Sequence, residues 1–204
     1  MPLHAILFGG FPALAEIDAL DHQALDAALQ ESGEGPLSFA DYAALAEVPD
    51  GPDRMERASD GEGAVLFAAK QDHLRERVSR IGLTPRPGVA EAIDAAAASG
   101  VPLALINDLD GPTTEAMFAG FGRIDAGTFA TVSRTWDEAL EALGVAPVDA
   151  LAVAADPETA AAARDSGLPV IAFAGAAHRE RDFGDGAEKV GALSPDLLDL
   201  PRPA

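Results

Sequence analysis

Cysteine is absent from the 204 residues. The chain therefore has no disulfide frame, no thiol nucleophile and no cysteine-ligated metal, a composition suited to a cytoplasmic protein. Positive charge is scarce as well: 14 Lys and Arg stand against 34 Asp and Glu, a formal charge of -20, and Lys70 and Lys189 are the only lysines. A surface of that sign repels phosphate backbones and anionic lipid, so neither nucleic acid nor a membrane is expected as a partner. No apolar run approaches the length of a transmembrane helix. The stretch from Ala5 to Phe11, followed by Ala13-Leu14-Ala15, imitates a leader and its cleavage site. The residues before it, Met1 to His4, hold neither Lys nor Arg, and a buried strand entering a glycine turn accounts for the same text.

What is present is a 48% hydrophobic chain, long enough for one well-cored domain with a modest insertion and too short for two full-sized ones. Short apolar runs recur at Leu3 to Phe8, Pro102 to Ile106, Thr128 to Val132, Ala150 to Ala154 and Pro169 to Phe173, each bounded by Gly, Pro or Asp. Between them lie alanine-rich stretches with helical spacing, Val89 to Ala98, Thr114 to Ala119, Trp136 to Leu143 and Glu158 to Asp165. Alternation of this kind predicts buried parallel strands with helices on both faces. Asp156-Pro157 reads as an N-cap followed by proline in the first turn, and Gly144 and Gly167 as helix stops. From about Glu16 to Leu83 the rhythm changes to helix-like patterns alone, Ile17 to Gln30, Phe39 to Leu45 and Gly63 to Ile81, with residues 49–63 the most loop-like part.

An α/β sheet with a helical insert after its first strand resembles the haloacid dehalogenase superfamily of phosphatases with a helical cap, in its β-phosphoglucomutase and xylulose-1,5-bisphosphate phosphatase subgroup. The resemblance covers nearly the whole chain. It is carried by Ile6-Leu7-Phe8 with Leu14 and Glu16, by Ala43 to Arg54 (AALAEVPDGPDR), Lys70 and Pro87-Gly88-Val89, by Gly100 to Leu105, by Ala139 to Val145, and by Ala160 to Ile171 (AAAARDSGLPVI). It implies a Rossmann-like three-layer α/β core with a parallel sheet over 1–14 and 85–204, and an inserted α-helical cap over 15–84.

The chemistry of that family is missing at the matching positions. Its nucleophilic aspartate, which forms an aspartyl-phosphate, and its acid-base aspartate two residues on fall on Gly9 and Phe11. The phosphate-holding Ser or Thr after the second strand falls on Asn107, which keeps a hydrogen-bond donor. The charge-offsetting lysine falls ungapped on Ala130, with Arg134 the nearest cation, and the acids completing the magnesium shell fall near Ala155 and Ala160, with Asp156 one place out of register. The resemblance therefore implies a magnesium enzyme, whereas these residues predict that magnesium is not bound and that most of a rate enhancement on the order of a million-fold or more is lost.

The leading expectation is an inactive relative that binds a small phosphorylated metabolite or a protein partner, through Glu16, Arg54, Lys70, Asn107 and Arg134. The alternative is a hydrolase using Asp108, Asp110 or Asp156, the weak metal candidates. Each has a plainer counterpart. Asp110 or Gly111 caps the helix starting at Pro112, Arg54 pairs with Asp53 or Glu56, Lys70 pairs with Asp72 or Glu76, and Glu16 is a first-turn helix acid. His4, His22, His73 and His178 show no ligand spacing, Gly9-Gly10 is a turn rather than a phosphate loop, and Ser38, Ser133 and Ser166 lack a nucleophile's context. Phe11, Phe118, Phe121 and Trp136 read as core, with Phe11 expected to plug the space a metal would take.

Overall fold

The structure is a computed structural model that describes residues 3–48, 50–59 and 62–196. These residues form one sheet of six parallel strands, β1 (Ala5–Gly9), β2 (Leu103–Ile106), β3 (Thr131–Ser133), β4 (Ala150–Ala154), β5 (Val170–Ala172) and β6 (Glu188–Lys189), in the order β3-β2-β1-β4-β5-β6. Side chains of a strand alternate between faces, and here the two faces differ in size. Ile6, Phe8, Leu103, Leu105, Val153 and Ile171 enter one cluster together with Met117 and Phe121. Ala5, Leu7, Ala104, Ala152, Ala154 and Ala172 enter the other, where Ala139, Ala160 and Ala163 let two helices come close and Trp136 supplies the bulk. Burial on both faces of β1 explains its unbroken apolar text.

Four helices, α1 (Asp18–Glu31), α2 (Phe39–Leu45), α3 (Pro52–Ala58) and α4 (Gly63–Ile81), follow β1; α5 (Val89–Ser99), α6 (Gly111–Phe121), α7 (Trp136–Leu143) and α8 (Pro157–Asp165) connect the later strands. The inserted helices leave and rejoin the sheet side by side: Ala15 bridges Pro85, and the Arg86 amide donates to the Leu14 carbonyl at 2.8 Å. Leu25, Leu29, Tyr42, Met55 and Leu66 give the insert a core of its own, while Leu74 and Val78 of α4 share the main core with Phe11. Asp156-Pro157 and Gly144 act as read, and a capping box not read from the sequence adds to them. Thr135 and Glu138 close a capping box at α7, Asp156 caps α8 ahead of Pro157, and Gly144 ends α7 in a left-handed conformation.

Two expectations change, and one strand was not foreseen. Residues 52–58 of the loop-like segment are helix α3, because Pro52 occupies its first turn, where proline favours a helix rather than breaking it. Pro49, Asp60 and Gly61 of that segment lie outside the described residues. Strand β3 starts three residues later than the apolar run, since Thr128 closes a capping box with Asp125 around a 3-10 turn. Edge strand β6 gave no apolar signal because both of its residues are exposed.

Candidate functional site

In a sheet of this order the chain reverses direction between β1 and β4, and ligands of open α/β sheets bind at that crevice beyond the strands' carboxyl ends. A cavity of about 570 Å³ lies there, floored by the segments after β1 to β4 and roofed by Ile17, Asp18, Asp21, Tyr42, Asp50, Arg54 and Leu74 of the insert. Two arginines tie roof to floor. Arg181 donates to the Ala46 carbonyl at 2.9 Å and pairs with Glu158 at 2.7 Å, and Arg75 donates to the Thr113 hydroxyl at 2.9 Å.

The floor begins where a nucleophile would stand. Gly9 has no side chain, and its neighbours have closed on the vacancy: a Cβ placed there would lie 2.4 Å from the Thr159 methyl and 3.2 Å from the Trp136 ring. Gly10 then turns the chain at φ 85°, a conformation glycine adopts without strain. Phe11 corrects one expectation. It does not plug the cavity but turns into the core, edge-on to Phe118 at 5.1 Å and stacked on Phe121 at 6.4 Å, and the crevice stays open.

Asn107 ends β2 with its amide already engaged, donating to the Thr114 hydroxyl at 2.7 Å. Ala130 is a second correction. Its amide bonds the Leu103 carbonyl, which places it at the amino end of the sheet, away from the cavity. The cation that follows β3 and lines the cavity is exposed Arg134, whose amide donates to Glu138 at 3.0 Å but whose guanidinium has no carboxylate within 4 Å among the described residues. Ala155 is buried after β4, and both oxygens of Asp156 serve Thr159, one taking its amide and the other its hydroxyl at 2.7 Å each. Asp110 likewise caps α6 through the Thr113 amide at 2.7 Å and lies 3.7 Å from Arg75. Asp108 remains as an exposed carboxylate at the rim.

Magnesium does not fit this donor set. Gly9, Phe11 and Ala155 offer no side-chain oxygen, and Asp156 and Asp110 are committed to helix caps. Among the described residues no three acidic or histidine side chains converge on one point.

The roof holds the charges that sequence reading sought in the cleft, already neutralised. Lys70 is completely buried, with its ammonium 2.7 Å from Asp21 and 2.6 Å from Asp50. Arg54 lies 3.6 Å from Asp50 and donates to the Val48 carbonyl at 2.6 Å, and the Tyr42 hydroxyl donates to Asp21 at 3.0 Å. Neither cation takes the partner expected from local spacing, which corrects both pairings; both are paired with carboxylates of the insert. Burial alone would lower the Lys70 pKa, but the two carboxylates outweigh it and hold the ammonium above the usual lysine range. Burial raises Asp21 despite Lys70. Glu16 points elsewhere: it accepts the Ala176 amide at 3.1 Å and lines a separate crevice behind the hinge.

Sequence reading missed Asp18, Asp21, Asp50 and Tyr42. The i,i+3 spacing of Asp18 and Asp21 puts them on one face of α1, and the i,i+4 spacing of Asp50 and Arg54 suits an ion pair; those were the available signals. Asp18 is buried and accepts the Ala177 amide at 2.7 Å. Burial, with Glu16 and Asp21 nearby, raises its pKa from 3.8 to about 6. A carboxyl raised on folding favours the folded state while protonated, so that advantage is complete below pH 3.8 and is lost as pH rises through about 6. Asp18→Asn, which keeps an acceptor for Ala177, is therefore expected to stabilise the protein by on the order of 2 kcal/mol near pH 8 and by almost nothing near pH 4, read by urea unfolding.

No family model matches the chain. It is 30% identical over 200 residues to the plasmid-encoded protein CbbY of Cupriavidus necator, covering 83% of this chain and 77% of that one. It is 29% identical to protein CbbY of Rhodobacter capsulatus over 95% of each. The crystal structure of a CbbY mutant from Rhodobacter sphaeroides in complex with xylulose-(1,5)-bisphosphate superposes with a TM-score of 0.86 at 22% identity, covering 97% of this chain and all of that one. Fold, cleft and relatives agree, and the chain belongs to the haloacid dehalogenase superfamily as a CbbY-like protein.

Proposed function

We propose that this chain is a CbbY-like protein without phosphoryl transfer, which uses the cleft to bind a small polar molecule that is neutral or positively charged. The observation that carries the reading is the space at Gly9, filled by Thr159 and Trp136 where a carboxylate nucleophile would need to stand. Charge supports the choice of ligand. Asp21 and Asp50 are balanced by Lys70 and Arg54, and Glu158 by Arg181, which leaves Asp18, Asp108 and Asp156 facing the cavity against Arg134. A residual negative cleft disfavours a phosphomonoester and favours hydroxyl or amine groups.

The test is a thermal-shift screen of polyols, amines and sugar mono- and bisphosphates, each with and without magnesium. Specific ligands raise apparent stability by mass action, about 2.7 kcal/mol at a hundredfold excess over Kd, whether or not turnover occurs. Hits in the cleft, identified as those that Arg134→Glu alters, are expected to lack phosphate and to ignore magnesium. Stabilisation by sugar phosphates that depends on magnesium would overturn the reading.

A further inference from the structure

Behind the hinge, on the far side of β5 from the cleft's nucleophile position, the described residues enclose a second crevice of about 650 Å³. It lies at the carboxyl ends of β5 and β6, where Ala172, Ala174 and Val190 meet the returning hinge strand Thr84 to Pro87. Three of the chain's 14 basic residues line it, Arg86, Arg179 and Lys189, against one acid, Glu16. Among the described residues no carboxylate lies within 4 Å of any of the three.

Arg86 is buried, its guanidinium stacked 3.6 Å over the Phe173 ring and fixed by the carbonyls of Pro12, Phe173 and Ala174 at 2.6 to 2.9 Å. The Lys189 ammonium is held by the carbonyls of Arg179 and Arg181 at 3.2 and 2.5 Å. Carbonyls orient these groups without cancelling their charge. Burial lowers the Arg86 pKa most; Glu16 and Asp18 offset it in part, and exposed Arg179, the smallest of these influences, lowers it further. Glu16 has one carboxylate oxygen engaged by the Ala176 amide. In a chain of net charge -20, three cations held together with so little counter-charge are a cost unless an anion joins them.

We infer that this hinge crevice is a binding site for the phosphate or pyrophosphate group of a small metabolite, with Arg86 and Lys189 as the fixed charges and Arg179 as the mobile one. The site is independent of the cleft, and its occupant makes no contact with Gly9 or Arg134. Isothermal titration of inorganic pyrophosphate into the wild-type protein at low ionic strength, where surface charge is least screened, tests it. Binding is expected, weakened about tenfold or more by Arg179→Glu and similarly by Lys189→Met, and unchanged by Arg134→Glu in the cleft. Arg179 and Lys189 are exposed, so neither change threatens the fold. No heat with wild-type protein, or an affinity that Arg134→Glu removes and Arg179→Glu leaves intact, would overturn the assignment.

Discussion

Replacing Lys70 with methionine is expected to destabilise the protein by about 3–5 kcal/mol, the cost of leaving a buried carboxylate without its partner. The side chain is inaccessible to solvent and joins α4 to Asp21 of α1 and to Asp50 before α3. Without the ammonium, two carboxylates share one pocket with Arg54 alone, whose guanidinium reaches Asp50 and not Asp21. For a chain of this length the melting temperature should fall by on the order of 10 °C. Much of the loss should return in the double variant Lys70→Met/Asp21→Asn, because removing the orphaned charge removes the penalty. A Lys70→Met protein that melts with the wild type would mean that the network carries no weight. A loss unrelieved by Asp21→Asn would mean that the packing of the lysine stem, not its charge, is what matters.

Gly9→Asp is expected to lower stability by on the order of 4 kcal/mol, and further with Phe11→Asp, which empties a buried aromatic site, and neither variant becomes a phosphatase. The backbone at Gly9 lies in a strand and not at positive φ, so a side chain would be conformationally acceptable. By the entropy argument alone Gly9→Ala should then stabilise by about 0.4–1 kcal/mol. Crowding reverses the sign, since the new Cβ would meet the Thr159 methyl at 2.4 Å and the indole at 3.2 Å. Over-packing of this kind costs about 1–3 kcal/mol, and the aspartate adds a further carboxylate to a cavity already lined by Asp18, Asp108 and Asp156. Thr159→Ser removes the offending methyl while keeping the hydroxyl that bonds Asp156 at 2.7 Å. A double-mutant cycle between Gly9→Ala and Thr159→Ser should therefore show favourable coupling of about 1 kcal/mol or more. Additive effects would remove the steric argument.

The fold was legible because its signals are local. Apolar runs marked β1, β2, β4 and β5, and Asp156-Pro157, Gly144 and the spacing of Trp136 to Leu143 bracketed their helices within one or two residues. What escaped is non-local or unburied. The partners of Lys70 stand 49 and 20 positions away on other elements, so no spacing rule could pair them, and nearby Asp72 and Glu76 drew attention instead. Counting without gaps put the lysine position on Ala130, and only strand register, the Ala130 amide on the Leu103 carbonyl, shows that residue at the wrong end of the sheet. Absence of a carboxylate at Gly9 was readable. That Thr159 and Trp136 have filled the gap was not, because an alanine-rich helix and a buried tryptophan look the same in sequence whatever they pack against.

The most direct measurement is phosphate release by the purified wild-type protein from a panel of sugar mono- and bisphosphates, xylulose-1,5-bisphosphate included, at millimolar magnesium. The account predicts release indistinguishable from the buffer and unaffected by EDTA. Turnover that EDTA abolishes would contradict it.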